Sequence, residues 1–309
     1  MPDWLIERGI GEMRAVLVEH GRIVEARVLR EGVVPAGTVL EARLKGVGRN
    51  AVVIADGQEF LLPRGAPGVT EGAMLHIEVT REALGGGEPW KRPLARATDE
   101  PPQSAPAIEG REIGGSQLDE AGWDDLIEEA RSGIVRFPGG ELRVSLTPAM
   151  TLIDVDGQLP PAELALAGAK AAAEAIRRHG VGGSIGIDFP TVSGKSERQA
   201  IAEAIDAELP QPFERTAVNG FGFLQIVRPR TYASLFELAA DRAPFEARAL
   251  LRRAGREVGA VRLVAHPAVI AVLDGNAGWV ERLSRQVGGA VTLRGDASLA
   301  ISAGHAEPA

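Results

Sequence analysis

Residues 151–157 read Thr-Leu-Ile-Asp-Val-Asp-Gly, and residues 184–189 read Ser-Ile-Gly-Ile-Asp-Phe. Between them lies an Ala-rich segment, 161–179, that opens on Pro160-Pro161. Both short runs suit strands, and the segment between them suits a helix with proline at its first position. The pattern continues outward, with a helix over 123–131 and a strand over 141–146 before it. A helix over 196–209 and a strand over 222–227 follow. Strands alternating with helices predict α/β layer packing.

Upstream the texture changes. Strands are expected at 4–6, 14–18 and 23–28, with turns at Gly9–Gly11 and His20-Gly21. After Pro35 come 38–44, 51–55, 59–62 and 74–79, with no helix among them, which suggests a small barrel. From Gly85 to about Leu118 the chain is rich in Gly, Pro, Ser, Gln and Glu and reads as a flexible linker. Downstream, a helix at 245–257, a strand at 261–264, helices at 267–273 and 279–287 and a strand at 290–294 suggest a separate small α/β unit. Residues 304–309 read as frayed. The expected division is 1–33, 34–96, a linker at 97–118, 119–242 and 243–304, an α+β multidomain chain.

The composition narrows the classes. At 309 residues the chain is long enough for about two ordinary domains or one large one. Apolar residues are 45% and charged residues 25%, and no apolar run approaches the 18 or so residues of a membrane span. No secretory signal is visible at the N-terminus, so a cytoplasmic location is expected, with no membrane partner. There is no cysteine, which excludes disulfides, a thiol nucleophile and Cys-based zinc sites. A net charge of −8 argues against broad non-specific nucleic-acid binding but leaves room for a local basic groove.

Three familiar motifs fail their context. Gly46-Val47-Gly48-Arg49-Asn50-Ala51 fits a loose dinucleotide fingerprint, yet strand residues follow it where a helix is required. Gly182-Gly183-Ser184-Ile185-Gly186 matches a nucleophile elbow but precedes a strand. Gly194-Lys195-Ser196 looks like the end of a phosphate loop, but Phe189 stands where its first glycine belongs. His266, beside Pro267, reads as a helix-start residue.

The chemistry lies in the carboxylates. Alternation puts Asp154 and Asp156 on one face of their strand, and the second strand ends in Asp188. An unpaired Asp in an apolar strand costs several kcal/mol unless something compensates. A Mg²⁺ ion, with Mn²⁺ the alternative, would compensate. The competing reading makes each Asp a turn former or helix cap.

Taken with 4–8, 12–18 and Gly220-Phe221-Gly222-Phe223-Leu224-Gln225-Ile226, the Ile153–Asp156 strand and the 182–189 segment resemble the ribonuclease E/G family, over most of the chain and in order. The resemblance implies RNase H-like N-terminal strands at 1–33, an OB-type RNA-binding barrel at 34–96, a deoxyribonuclease I-like catalytic domain at 119–242 and a small C-terminal α/β unit at 243–304. It implies Asp154 and Asp188 as ligands of a catalytic Mg²⁺, with Asp156 at a supporting position where the family has Asn. It matches Lys91 to a family lysine at the barrel's end, and Trp90, Lys91 and Arg92 form the basic-aromatic patch there, with solvated linker residues as the competing reading. Phe60, next to a family stacking position, and Lys195, otherwise an ordinary loop cation, complete the expected RNA contacts. The expected activity is metal-dependent endonucleolytic cleavage of single-stranded RNA by activated water, in RNA processing or decay.

The chain also departs from the family pattern. The 5′-end sensor region is reduced to the linker, and Val53 and Leu61 stand where rings stack on bases. Gln225 and Gly220 replace a family Glu and Arg. The family's Cys-Pro-x-Cys link is absent, so no zinc is expected and any homo-oligomer forms without it. The alternatives are a non-catalytic RNA-binding or regulatory relative, and a phosphodiesterase acting on a smaller nucleotide.

Overall fold

In the computed structural model, residues 3–85 and 91–309 are described. The chain opens with an antiparallel meander of β1 (Asp3–Arg8), β2 (Glu12–Glu19) and β3 (Arg22–Arg30). The turn after β2 is made by His20 and Gly21, both in the left-handed region. Next come β4 (Val39–Leu44), β5 (Ala51–Ala55), β6 (Gln58–Leu62), β7 (Met74–Arg81) and β8 (Leu94–Thr98). They close a five-stranded barrel in the order β4-β5-β6-β8-β7, in which β6 and β8 run parallel. Inward-facing Leu44, Val53, Phe60, Leu62, Ile77 and Val79 fill it.

The segment expected to be a linker is anchored in several places. Its composition hides β8, which completes the barrel. Gln103 then pairs with Val39, exchanging N–H···O bonds of 2.9 and 3.1 Å. The short β9 (Arg111–Glu112) lies parallel to β1 and makes the first sheet four-stranded, and α1 (Gly115–Glu120) follows. The barrel is therefore an insertion between two strands of one sheet.

The α/β body contains α2 (Trp123–Ser132), β10 (Ile134–Phe137), β11 (Gly140–Leu146), β12 (Thr151–Gly157), α3 (Pro161–Arg178), β13 (Gly183–Asp188), α4 (Lys195–Glu208), β14 (Glu214–Arg215) and β15 (Phe223–Arg228). Its six-stranded sheet runs β10-β11-β12-β13-β15-β14, and β12 and β13 are its parallel pair. The helix α3 has Pro161 and Glu163 in its first turn and Arg177 and Arg178 in its last, matching the helix dipole. Its alanines let it pack closely: a Cβ on Gly168 would lie 2.4 Å from Val155. Val16, Ile23 and Ala26 of the first sheet share one core with α3 and the inward residues Leu142, Ile153, Val155, Ile185, Ile187, Leu224 and Ile226. The N-terminal strands and the body are thus packed as one unit around α3.

The chain continues through α5 (Leu235–Ala240), α6 (Arg242–Ala254), β16 (Val261–Ala265), α7 (Pro267–Asp274), α8 (Ala277–Val287), β17 (Val291–Gly295) and β18 (His305–Pro308). The helix α5 was not expected; Ser234 and Glu237 start it with a capping box. Nor is the C-terminus frayed, because β18 pairs antiparallel with β16 and completes a β17-β16-β18 sheet. His266 caps α7, its Nδ1 accepting from the Ala268 N–H at 3.1 Å. A buried ion network fastens this unit to the first sheet: Arg252 reaches Glu7 at 3.0 Å and Asp119 at 2.7 Å, while Arg14 reaches Glu7 at 2.9 Å and Glu12 at 2.7 Å. No helix among the described residues is long and apolar enough to cross a membrane.

Candidate functional site

One face of the six-stranded sheet is covered by the α3 layer; the other faces solvent. Period-two alternation sends Ile153 and Val155 to the covered side and Asp154 and Asp156 to the open one. On β13, Ile185 and Ile187 go inward and Asp188 outward. The parallel register places Asp154 directly beside Asp188, about 4.8 Å away at the backbone. The same row continues on both sides, to Arg143 on β11 and to Phe223 on β15. Four strands thus present a cation, two carboxylates and an aromatic ring in line.

The charges in this row are unbalanced. Partial desolvation, then the neighbouring Asp156 and Asp188 carboxylates, push the Asp154 pKa up; Arg143 and the Val155 N–H act the other way. Arg143 is the compensating cation, but it is shared. Its Nη2 lies 2.8 Å from Glu141 Oε1, and its Nε lies 3.9 Å from Asp156 Oδ2. Asp156 sits one row beyond Asp154, opposite Glu141. The three expected aspartates do not converge, since among the described residues no group of three or more His, Asp or Glu is arranged to hold a metal ion.

Two adjacent carboxylates are nevertheless a sufficient donor set for Mg²⁺, which commonly takes one or two and fills its remaining positions with water. The Asp154 pKa is raised first by desolvation and then by the neighbouring carboxylates. Asp154 and Asp188 are the two residues that would hold such an ion.

Next to the carboxylates the open face turns apolar. Gly186 lies between Leu152 and Gln225 in the register, and a Cβ on it would come 2.5 Å from Phe223 Cζ and 3.0 Å from Leu152 Cδ2. The missing side chain lets the Phe223 ring lie over β13. Beyond the ends of these strands, the 219–222 loop carries Phe221 out into solvent.

The expected RNA contacts fare differently. Phe60 is fully buried in the barrel, because alternation along β6 turns Phe60 and Leu62 inward; it cannot stack on a base. Val53 is buried beside it, so no ring at that position would reach solvent either. The Nε of Arg92 donates to Glu59 Oε2 at 2.7 Å on the barrel surface. Lys91 lines a cleft of about 330 Å³ with Leu146, Met150, Ser184 and Arg230. That cleft opens at the starts of β12 and β13, whereas Asp188 stands at the end of β13. Trp90 lies outside the described residues.

Lys195 is exposed as the first residue of α4. The backbone there is not a phosphate cradle, since the Gly194 N–H already donates to the Glu197 carboxylate at 2.9 Å. Ser184 begins a strand, which leaves no nucleophile elbow.

Arg143, Glu141 and the two phenylalanines were missed by sequence reasoning. The alternation over 140–146 puts Glu141 and Arg143 on one face, but only the register shows that this face is the aspartates' own. No protein-family model matches the chain, and no curated protein sequence matches it.

Proposed function

We propose that the chain is a Mg²⁺-dependent endoribonuclease of the ribonuclease E/G type, acting on single-stranded RNA at the open face of the six-stranded sheet. The observation that carries this reading is the placement of Asp154 and Asp188 side by side on neighbouring parallel strands, with Arg143 in the same row. The barrel supports it in a coarser way: five strands with one parallel pair have the connectivity of an OB-type fold, which serves RNA-binding proteins. Lys45, Arg49 and Arg64 lie at one end of that barrel, where loops 45–50 and 63–68 meet, and make no ion pair among the described residues.

In this reading Asp154 and Asp188 hold the cation, and Arg143 faces a phosphate oxygen from the adjacent strand. Asp156 and Glu141 orient Arg143 and add negative charge that keeps loosely bound RNA from settling. When bound, Mg²⁺ supplies Lewis acidity at the phosphate and a lowered pKa for the attacking water. The protein's own contribution is to fix these groups on rigid strands, so that little reorganisation is needed during reaction.

Cleavage of a labelled AU-rich single strand, with Mg²⁺ or with EDTA, tests this directly. Metal-dependent cutting that Asp154→Asn abolishes is the expected result; activity equal in the variant overturns the site. The second reading, a non-catalytic RNA-binding relative, draws on the failure of the three aspartates to converge. It predicts RNA retention with no cutting under any divalent ion.

A further inference from the structure

Phe221 is an anomaly. The residue is 84% exposed, while every other Phe, Trp or Tyr among the described residues is at least partly buried. A phenylalanine left in water forgoes one of the larger gains available to a folding chain. The backbone around it is nevertheless tightly held. Asn219 Oδ1 accepts from the N–H groups of both Phe221 and Phe223, at 2.9 and 3.0 Å. The Asn219 N–H donates to the Phe223 carbonyl at 2.9 Å, and Thr191 Oγ1 donates to the Phe221 carbonyl at 3.2 Å.

Gly222 allows no substitute. Its φ is +94°, and a Cβ there would lie 2.3 Å from the Phe189 carbonyl oxygen. The Phe189 N–H donates back to the Gly222 carbonyl at 3.1 Å. Phe189 directly follows Asp188. The loop that displays the ring is therefore joined to the end of the strand that bears the carboxylate.

We infer that Phe221 is a stacking platform for one nucleobase, belonging to a nucleotide that flanks the scissile phosphate of the proposed site at Asp154, Asp188 and Arg143. The inference rests on the proposed RNA-cleaving function and names the part of the substrate this edge of the site takes. The shape of the surface favours a base over a protein partner. A protein-docking patch spreads over several hundred Å² of contiguous apolar surface. Here a single ring projects from a loop whose other members are Asn219, Gly220 and Gly222. One isolated ring on a rigid backbone matches one base, and stacking tolerates any base because each has a π-face.

The test uses the full-length protein and a single-stranded RNA carrying 2-aminopurine, bound with Ca²⁺ in place of Mg²⁺ to prevent cutting. Wild type quenches the probe on binding. Phe221→Ala binds roughly tenfold to a hundredfold more weakly and loses the quench, and Phe221→Trp retains both. An RNA lacking that one base binds wild type and Phe221→Ala equally, which a merely structural role would not produce. Equal affinity and equal quenching in wild type and Phe221→Ala, with Mg²⁺-dependent cutting intact, overturn the stacking inference alone. If wild type neither binds nor cuts RNA, the proposed function fails and this inference falls with it.

Discussion

Arg252 donates three hydrogen bonds of 3.0–3.1 Å to the Glu7 carboxylate, across 245 positions of sequence. Both side chains are more than nine-tenths buried, and Glu7 also receives Arg14, which is 1% exposed. Removing Glu7 takes one buried carboxylate from both arginines, although Glu12 still faces Arg14 and Asp119 still faces Arg252. Glu7→Ala is therefore expected to cost less than the roughly 3–5 kcal/mol of a fully uncompensated buried charge, on the order of 2 kcal/mol, read by urea unfolding. Glu7→Gln, which keeps the acceptor oxygen but not the charge, is expected to cost less. A variant within about 0.5 kcal/mol of wild type would mean that the network contributes little.

The aspartate pair predicts a trade between stability and metal binding. A folded-state pKa raised above the unfolded one means that charged Asp154 opposes folding, and this penalty is in force above the unfolded value near 3.8. At neutral pH in EDTA, Asp154→Asn is therefore expected to unfold at a higher temperature than wild type. The gain should stay below about 1 kcal/mol, because solvent screens exposed charges. Mg²⁺ should raise the wild-type midpoint and leave the variant's unmoved. A variant less stable than wild type in EDTA would contradict a folding penalty on the Asp154 charge.

Gly186 tests the apolar half of the open face. Gly186→Ala places a methyl group against the Phe223 ring and between Leu152 and Met150. Overpacking of this kind costs about 1–3 kcal/mol. Because Phe223 adjoins Asp188 in the register, RNA cleavage should fall more than stability alone explains, measured well below the unfolding transition. Unchanged cleavage would separate the ring from the site.

His179 gives the fold a pH dependence of its own. It is fully buried and stacked on Phe236 at 4.3 Å, and desolvation lowers its pKa despite the Glu129 carboxylate 3.2 Å from Nε2. The unfolded chain takes up this proton near pH 6.5 and the folded chain only at lower pH. Stability therefore falls as pH drops below about 6.5, by up to about 1.4 kcal/mol per pH unit for one proton. Urea titrations at pH 7.5 and 5.5 should show the loss in wild type and a smaller one in His179→Gln. Equal losses would assign the dependence to other groups.

Strand and helix positions in the body were legible because their signals are local: the alternation of 151–157, the alanines and opening prolines of 161–179, the Asp that ends 184–188. The aspartates' shared face follows from the same alternation. Register and direction were not legible, since nothing in Asp154 or Asp188 says which residues lie beside them; Arg143 and Phe223 enter the row only through strand pairing. Phe60 misled because neighbouring residues on a strand face opposite ways, so the ring beside Leu61 points inward. The linker misled because composition averages over Gly and Pro while β8 needs only five residues. The C-terminal strand hid for a similar reason, as its pairing energy comes from β16 and not from its own sequence.

The bridge between Val39 and Gln103 clasps the two ends of the barrel. Before the barrel forms, bringing β9 to β1 means closing a long floppy loop, an entropic cost that grows with the logarithm of its length. Once the barrel has formed, only the short stretches at 31–38 and 104–110 remain to be ordered, and the distant pairing becomes almost a local one. The barrel then acts as a splint for the body's first sheet. A destabilised barrel would slow the body's folding by lengthening that closure, and it would also loosen Leu84, which leaves β7 to join the body's own core.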